Sequence, residues 1–271
     1  MSLQQEIIAR LGVKPVINVK EEIHKRVDFL KQCVLNARMK GLLIAISGGV
    51  DSALVCALCK KATDELTAET GNAYRTIGVF QPYGEQEDIA DSYAVAEAVG
   101  FSKNDLMETN IEETVDEAAI EIEAAYRSIG IHQHVGRVAK GNMKARTRMV
   151  VQYAIAFDQQ LLVVGTDHAS EAITGFYTKW GDGAVDITPI STLNKRQVRL
   201  LAAAMGVPDR VVHKVPTAGL WSGQTDEGEL GITYEHNSDY LEGKEIPADI
   251  QAKLEAQYAK TEHKRSPIPG I

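Results

Sequence analysis

The sequence predicts an α/β fold: a doubly wound, parallel, five-stranded sheet with helices on both faces. Three observations lead there. Two short apolar runs bounded by glycine, Leu42–Ile46 and Leu161–Gly165, have the continuous apolar character of strands buried on both faces. Segments with helical spacing alternate with these and three further strand-like runs, the pattern of βα units in a parallel sheet. A chain of 271 residues, 44% hydrophobic and 24% charged, is long and apolar enough for a sizeable core.

The elements follow in order. Residues 3–11 form a short helix. Residues 18–39 form a longer one, where Asn18 with Glu21 three places on resembles a capping box. Val19, Ile23, Val27, Leu30 and Val34 then recur at helical spacing. Strand Leu42–Ile46 is followed by a helix from Asp51 to about Glu69. Cys56 and Cys59 fall inside its apolar run with no second ligand pair nearby, so they read as packing residues. With Cys33 the cysteine count is three, which speaks against a disulfide framework. Next come strand Thr76–Phe80, a turn at Pro82-Tyr83-Gly84, helix 86–99 and strand Leu106–Thr109. Helices over 111–127 and 137–157 precede strand Leu161–Gly165. A short fifth strand is expected at Val185–Ile187 and a helix from Asn194 to Met205. Residues 216–231 hold four glycines and no clear period, and a loop of that length is usually functional or disordered. No repeat or linker divides the chain, so residues 1–271 are expected to form one domain.

Net charge is −8, the wrong sign for a general nucleic-acid binder. No window approaches the roughly 18 apolar residues of a membrane span. The first residues have mixed charge and no long apolar core, unlike a secretory signal, so a cytoplasmic protein is expected.

The stretch Ala45-Ile46-Ser47-Gly48-Gly49-Val50-Asp51-Ser52 joins the first strand to its helix. Glycines there let backbone approach a phosphate, and the helix N-terminus offers unpaired N–H groups and a favourable dipole. Ser47 and Ser52 add hydroxyls. The run is neither GxxxxGK[ST] nor GxGxxG, and Asp51 stands where a lysine would be expected. A carboxylate beside phosphate is repulsive unless a cation lies between, so Asp51 points to a Mg²⁺ bridge; its other reading is a plain helix cap.

SGGVDS after an apolar strand resembles the SGGxDS pyrophosphate loop of the ATP pyrophosphatases, which cleave ATP between the α and β phosphates and transfer AMP. The stretches GNMKARTRM, VVGTDHASEAITGFYTKWGDG, LNKRQ, VPTAGL, YLEGKEIP and TEHKR further resemble ammonia-dependent NAD synthetase, in that family's order and spacing from about residue 3 to 267. The resemblance implies an adenine nucleotide alpha hydrolase-like fold. It implies an ATP site over Ala45–Ser52 with Thr166, Lys195 and Thr217, and Mg²⁺ held by Asp51 and Glu171. It implies a deamido-NAD site of Arg146, Lys179, Asp186, His263 and Lys264, whose positive groups suit an anionic ligand despite the acidic total. Lys195 would neutralise charge on departing pyrophosphate. Residues 216–231 would be a lid. In the KARTR run Lys144 and Arg148 are i,i+4 neighbours and Arg146 projects elsewhere; His168 receives no role.

The implied chemistry has two steps. The nicotinate carboxylate attacks the α-phosphorus of ATP, giving an adenylate and pyrophosphate. Ammonia then attacks the activated carbonyl, releasing AMP and NAD. Asp182, in the GDG turn, is the candidate to hold and deprotonate ammonium, with burial raising its pKa; its other reading is a tight turn. The cysteines fall in expected helices and residue 2 is serine, so no glutaminase nucleophile is offered and free ammonia is the expected donor. The family implies a homodimer with the dinucleotide at the subunit interface. Two departures stand out: Phe80 replaces a family arginine, and the chain ends SPIPGI without the family's acidic, aromatic tail. The competing readings are another ATP pyrophosphatase, GMP-synthetase-like or tRNA-modifying, and a nucleotide sensor that does not catalyse.

Overall fold

The first strand sets the layering. In the computed structural model, which describes residues 2–86, 88–217 and 225–271, β1 spans Gly41–Ala45. Alternate side chains of a strand face opposite sides. Leu42 and Ile44 enter one core with α2 (Val19–Ala37) and α3 (Val50–Thr70). Leu43 enters another, beside Ala156 and Val163. Before these, α1 (Leu3–Leu11) is opened by Ser2, whose hydroxyl accepts from Gln5 N.

The chain continues through β2 (Arg75–Phe80), α4 (Ile89–Val99), β3 (Leu106–Glu108), α5 (Glu112–Ser128), α6 (Arg137–Gln159) and β4 (Leu161–Val163). Helices α7 (Ala169–Thr174), α8 (Lys195–Ala204), α9 (Asp209–Val212), α10 (Asp226–Leu230), α11 (Tyr234–Leu241), α12 (Ala248–Lys260) and α13 (Glu262–Arg265) complete it. The strands are parallel in the order β3-β2-β1-β4. Helices α2, α3 and α8 pack with one face of the sheet, and α6 covers the other. A third cluster joins α1, α7, α11 and α12 through Ile7, Ala169, Ile173, Leu241 and Leu254. No helix among the described residues is long and apolar enough to cross a membrane.

Among the described residues the sheet has four strands, not the expected five. Val185–Ile187 lies beside β4 but makes only an isolated bridge, Val164 to Ile187. The Asp186 carboxylate accepts from Val163 N at 2.7 Å, a position that a continued ladder would fill with a carbonyl. Pro189 then removes a donor two residues beyond Ile187. The centre of the expected lid, residues 218–224, lies outside the described residues; the end of that stretch is α10 and Gly231.

Gly41 fixes the register of β1. It pairs with Arg75, and a Cβ on it would stand 1.8 Å from the Arg75 carbonyl oxygen. Gly41→Ala should therefore lower the unfolding free energy by about 3 kcal/mol or more in urea titration. A loss under about 1 kcal/mol would show that β1 shifts freely against β2.

Candidate active site

The turn between β1 and α3 is shaped around Gly48, whose φ is 77°. A Cβ there would also stand 3.0 Å from Ser92 Oγ, so both backbone and space call for glycine. The hydroxyls of Ser47 and Ser52 meet at 2.9 Å. Ser52 Oγ accepts from Ser47 N at 3.2 Å, and Ser47 Oγ from Gly49 N at 3.3 Å. Ile46 and Val50 anchor the turn in the core, while Ala45 is half-buried at the end of β1. Gly49 gives α3 no side-chain cap, so the positive end of a 21-residue helix opens onto the turn.

Asp51, in the first turn of α3, meets groups from three distant segments. Its Oδ2 lies 2.6 Å from Lys195 Nζ at the start of α8. Its Oδ1 lies 3.3 Å from His168 Nε2 but is buried without a hydrogen bond. Glu171, from α7, comes within 3.7 Å of the same imidazole nitrogen. Ligand atoms of Asp51, His168 and Glu171 all fall within 4.8 Å of one another. Burial alone would raise the Asp51 carboxyl, but Lys195 and His168 reverse this and hold it below the ordinary range. Glu171 moves the other way: burial and then the Asp51 charge push it well above the usual glutamate value. Burial pushes His168 down, against the pull of Asp51. Two oxygen ligands with too little positive charge between them, one oxygen unbonded, fit a hard divalent cation.

A second, basic patch forms where α6, the segment after α7 and α13 meet. Arg146 Nη2 donates to Lys179 O at 3.2 Å, and Lys179 Nζ to His263 O at 2.6 Å. Lys264 Nζ donates to Gly175 O and Tyr177 O, both at 2.6 Å. Arg146, Lys179, His263 and Lys264 are thus brought together. Asp186 is drawn elsewhere, to Val163 N and to Tyr153 OH at 3.2 Å.

Carboxylates lie between the two regions. Asp167 is pushed well up by burial and by the charges of Asp182 and Asp51, and Lys264 acts against that. Asp182 accepts from Thr178 N at 2.9 Å. Its carboxyl is also raised, by lost hydration first, as expected, although the residue keeps an exposed face. Arg148 acts on Asp182 from α6, its Nε donating to Gln81 O at 3.0 Å. Thr166 is half-buried just beyond β4, and Thr217 is exposed at the edge of the described residues.

Several functional neighbours were not legible in advance. His168 is fully buried inside the Asp51–Lys195–Glu171 group, and Tyr234 meets it edge-on. Lys144 lies 3.6 Å over the Tyr83 ring and Arg148 reaches Gln81, while Arg146 points to Lys179, as their helical spacing required. Phe80 is buried and packs on Tyr93 at 4.7 Å, so it belongs to the core.

A glycine turn at the carboxyl end of a central parallel strand is the arrangement of nucleotide-binding α/β enzymes. The comparisons go further. The NAD synthase family profile matches residues 22–268. An NH(3)-dependent NAD(+) synthetase from Exiguobacterium sibiricum is 47% identical over 266 residues, spanning 97% of this chain and 95% of that protein. The solved NAD+ synthetase from Burkholderia pseudomallei shares 33% identity with a TM-score of 0.82, covering 97% of this chain and 95% of its own. An NMN synthetase from Francisella tularensis shares 32% with a TM-score of 0.81, covering 94% and 99%. The chain belongs to the NAD synthase family.

Removing Asp51 strands the Lys195 ammonium, which is 2% exposed. Breaking a buried pair costs about 3–5 kcal/mol, and relief of the like charge on Glu171 returns part of that. Asp51→Ala should lose about 2–3 kcal/mol at pH 7. The depressed carboxyl contributes fully above its unfolded pKa of about 4 and loses that contribution as pH falls towards its folded value. The gap between wild type and variant in urea should therefore narrow below pH 4, and a gap that widens there would contradict the assignment.

Proposed function

We propose that the chain amidates deamido-NAD with free ammonia, consuming ATP and releasing AMP, pyrophosphate and NAD. The observation that carries this is the convergence of the Ser47–Ser52 turn, Asp51, Glu171 and Lys195 on one side and the Arg146–Lys179–His263–Lys264 patch on the other, with Asp167 and Asp182 between.

The turn and the N-terminus of α3 hold the triphosphate, with Thr166, Lys195 and Thr217 as further ATP contacts. Asp51 and Glu171 hold Mg²⁺, which when bound neutralises the phosphate charge facing them. The basic patch holds the dinucleotide and, with Asp186, sets its nicotinate carboxylate towards the α-phosphorus. That oxygen attacks phosphorus, the α–β bond breaks, and Lys195 offers positive charge to the departing pyrophosphate. Activation is required because a free carboxylate has no good leaving group. Asp182 receives ammonium, takes a proton, and leaves ammonia to attack the carbonyl carbon; AMP departs with its bridging oxygen. The raised carboxyl of Asp182 favours that proton transfer near neutral pH.

We further propose one functional unit, cytoplasmic and homodimeric. Arg146, Val150 and Phe157 recur along one side of α6 at i, i+4 and i+11, and the last two are 60% and 87% exposed. An unpartnered apolar stripe next to a basic patch suits a two-fold contact that also completes the dinucleotide site. No observation favours the other ATP pyrophosphatases or a silent sensor.

Incubation with Mg-ATP, ammonium and deamido-NAD should give equal amounts of NAD and AMP, and omission of any one should stop both. Glutamine should not replace ammonium, and equal turnover with glutamine would refute the free-ammonia assignment. Asp182→Asn should lower kcat by about a hundredfold or more with the KM for ATP little changed. The Francisella relative prompts one comparison, nicotinate mononucleotide in place of the dinucleotide; preference for it would overturn the dinucleotide reading. Phe157→Lys should shift sedimentation to a monomer and reduce turnover, and an active monomeric wild type would refute the dimer.

A further inference from the structure

We propose that Tyr234 is a positioning residue, holding the Lys195 ammonium in place through the face of its ring. The inference rests on the proposed role of Lys195 in ATP cleavage.

Three groups surround the ammonium. Asp51 Oδ2 stands at 2.6 Å, His168 Nε2 at 3.4 Å, and the centroid of the Tyr234 ring at 4.8 Å. Lysine carries its charge on a flexible four-carbon stem and needs contacts on several sides to fix it. With Asp51 alone, the ammonium would be drawn fully onto that carboxylate. An aromatic face attracts a cation without fixing a direction, so it steadies the ammonium while leaving it free to turn towards phosphate.

The ring is itself held at both ends. Tyr234 opens α11, and its backbone N–H donates to Glu227 Oε1 at 2.8 Å. Its hydroxyl donates to Asp226 Oδ2 at 2.8 Å. Both acceptors lie on α10, and the ring edge meets His168 with centroids 6.2 Å apart. Tyr234 is 4% exposed, so the ring has no room to turn away. Burial, with Glu171 and Asp226 nearby, pushes the phenol far above its ordinary range, so the ring stays neutral and its O–H stays a donor.

The test separates ring face from hydroxyl. Tyr234→Phe keeps the face and loses the bond to Asp226; Tyr234→Leu loses both, with Tyr234→Met as the substitute where the leucine variant does not fold. Full-length variants are assayed for kcat and for the KM of Mg-ATP, and the rate at which an amine-acylating reagent labels Lys195 is read by mass spectrometry. Tyr234→Phe should keep kcat within about threefold, while Tyr234→Leu should lose about tenfold or more with KM within about twofold, and its Lys195 should label faster. Wild-type kcat and labelling in the leucine variant would overturn the proposal. So would an equal loss in both variants, which would assign the effect to the hydroxyl. If wild type forms no NAD, the proposed function fails, while the labelling comparison still reports the Tyr234–Lys195 contact.

Discussion

One ion pair organises the carboxyl end of the sheet. Asp51 and Lys195 are 144 positions apart in sequence, yet their charged atoms meet at 2.6 Å where α3 and α8 begin. Both sit near a helix N-terminus, so the carboxylate is favoured by the dipole and the ammonium is not. Lys195 remains there because it is buried against Asp51, His168 and Tyr234. A buried pair of this kind adds little net stability, since desolvation offsets much of the attraction. What it does here is set geometry: it brings the first turn of α3, the start of α7 and the start of α8 to a single point at the carboxyl end of the sheet. In the proposed reaction the same pair gives Lys195 a carboxylate partner beside the phosphate, so the ammonium has a short path from one anion to the other.

The second constraint is electrostatic distance. The two substrates are anionic and must be brought into contact. The structure has a cation-bearing patch at one end, the Ser47–Ser52 turn at the other, and the acids Asp167 and Asp182 between them. Crowded acids would be a poor choice for binding anions, but they suit an incoming ammonium ion. A net charge of −8 is compatible with anionic ligands because positive groups can be gathered locally.

Much of this was legible in the sequence, and the parts that were not share a reason. Strand β1, its turn and α3 were readable because apolar runs, glycines and helical spacing are local signals. The opposite projections of Arg146 and Lys144 followed from helical geometry alone. The fifth strand failed because a side chain, Asp186, took a hydrogen bond that the pattern assigned to backbone. The upward push of burial on Asp182 was anticipated from its crowded turn, although the residue keeps an exposed face. His168 and Tyr234 carried no sequence signal for a role, because each acquires it only from what folding places beside it. Phe80 shows the same limit: its strand position was readable, its inward direction was not.

The central claim is that the carboxylate oxygen of the pyridine substrate attacks the α-phosphorus in this site. Isotope transfer tests it most directly. With both carboxylate oxygens of deamido-NAD labelled with ¹⁸O, the account predicts that each AMP formed carries one ¹⁸O and each NAD retains one. AMP without label, alongside continued NAD formation, would contradict it.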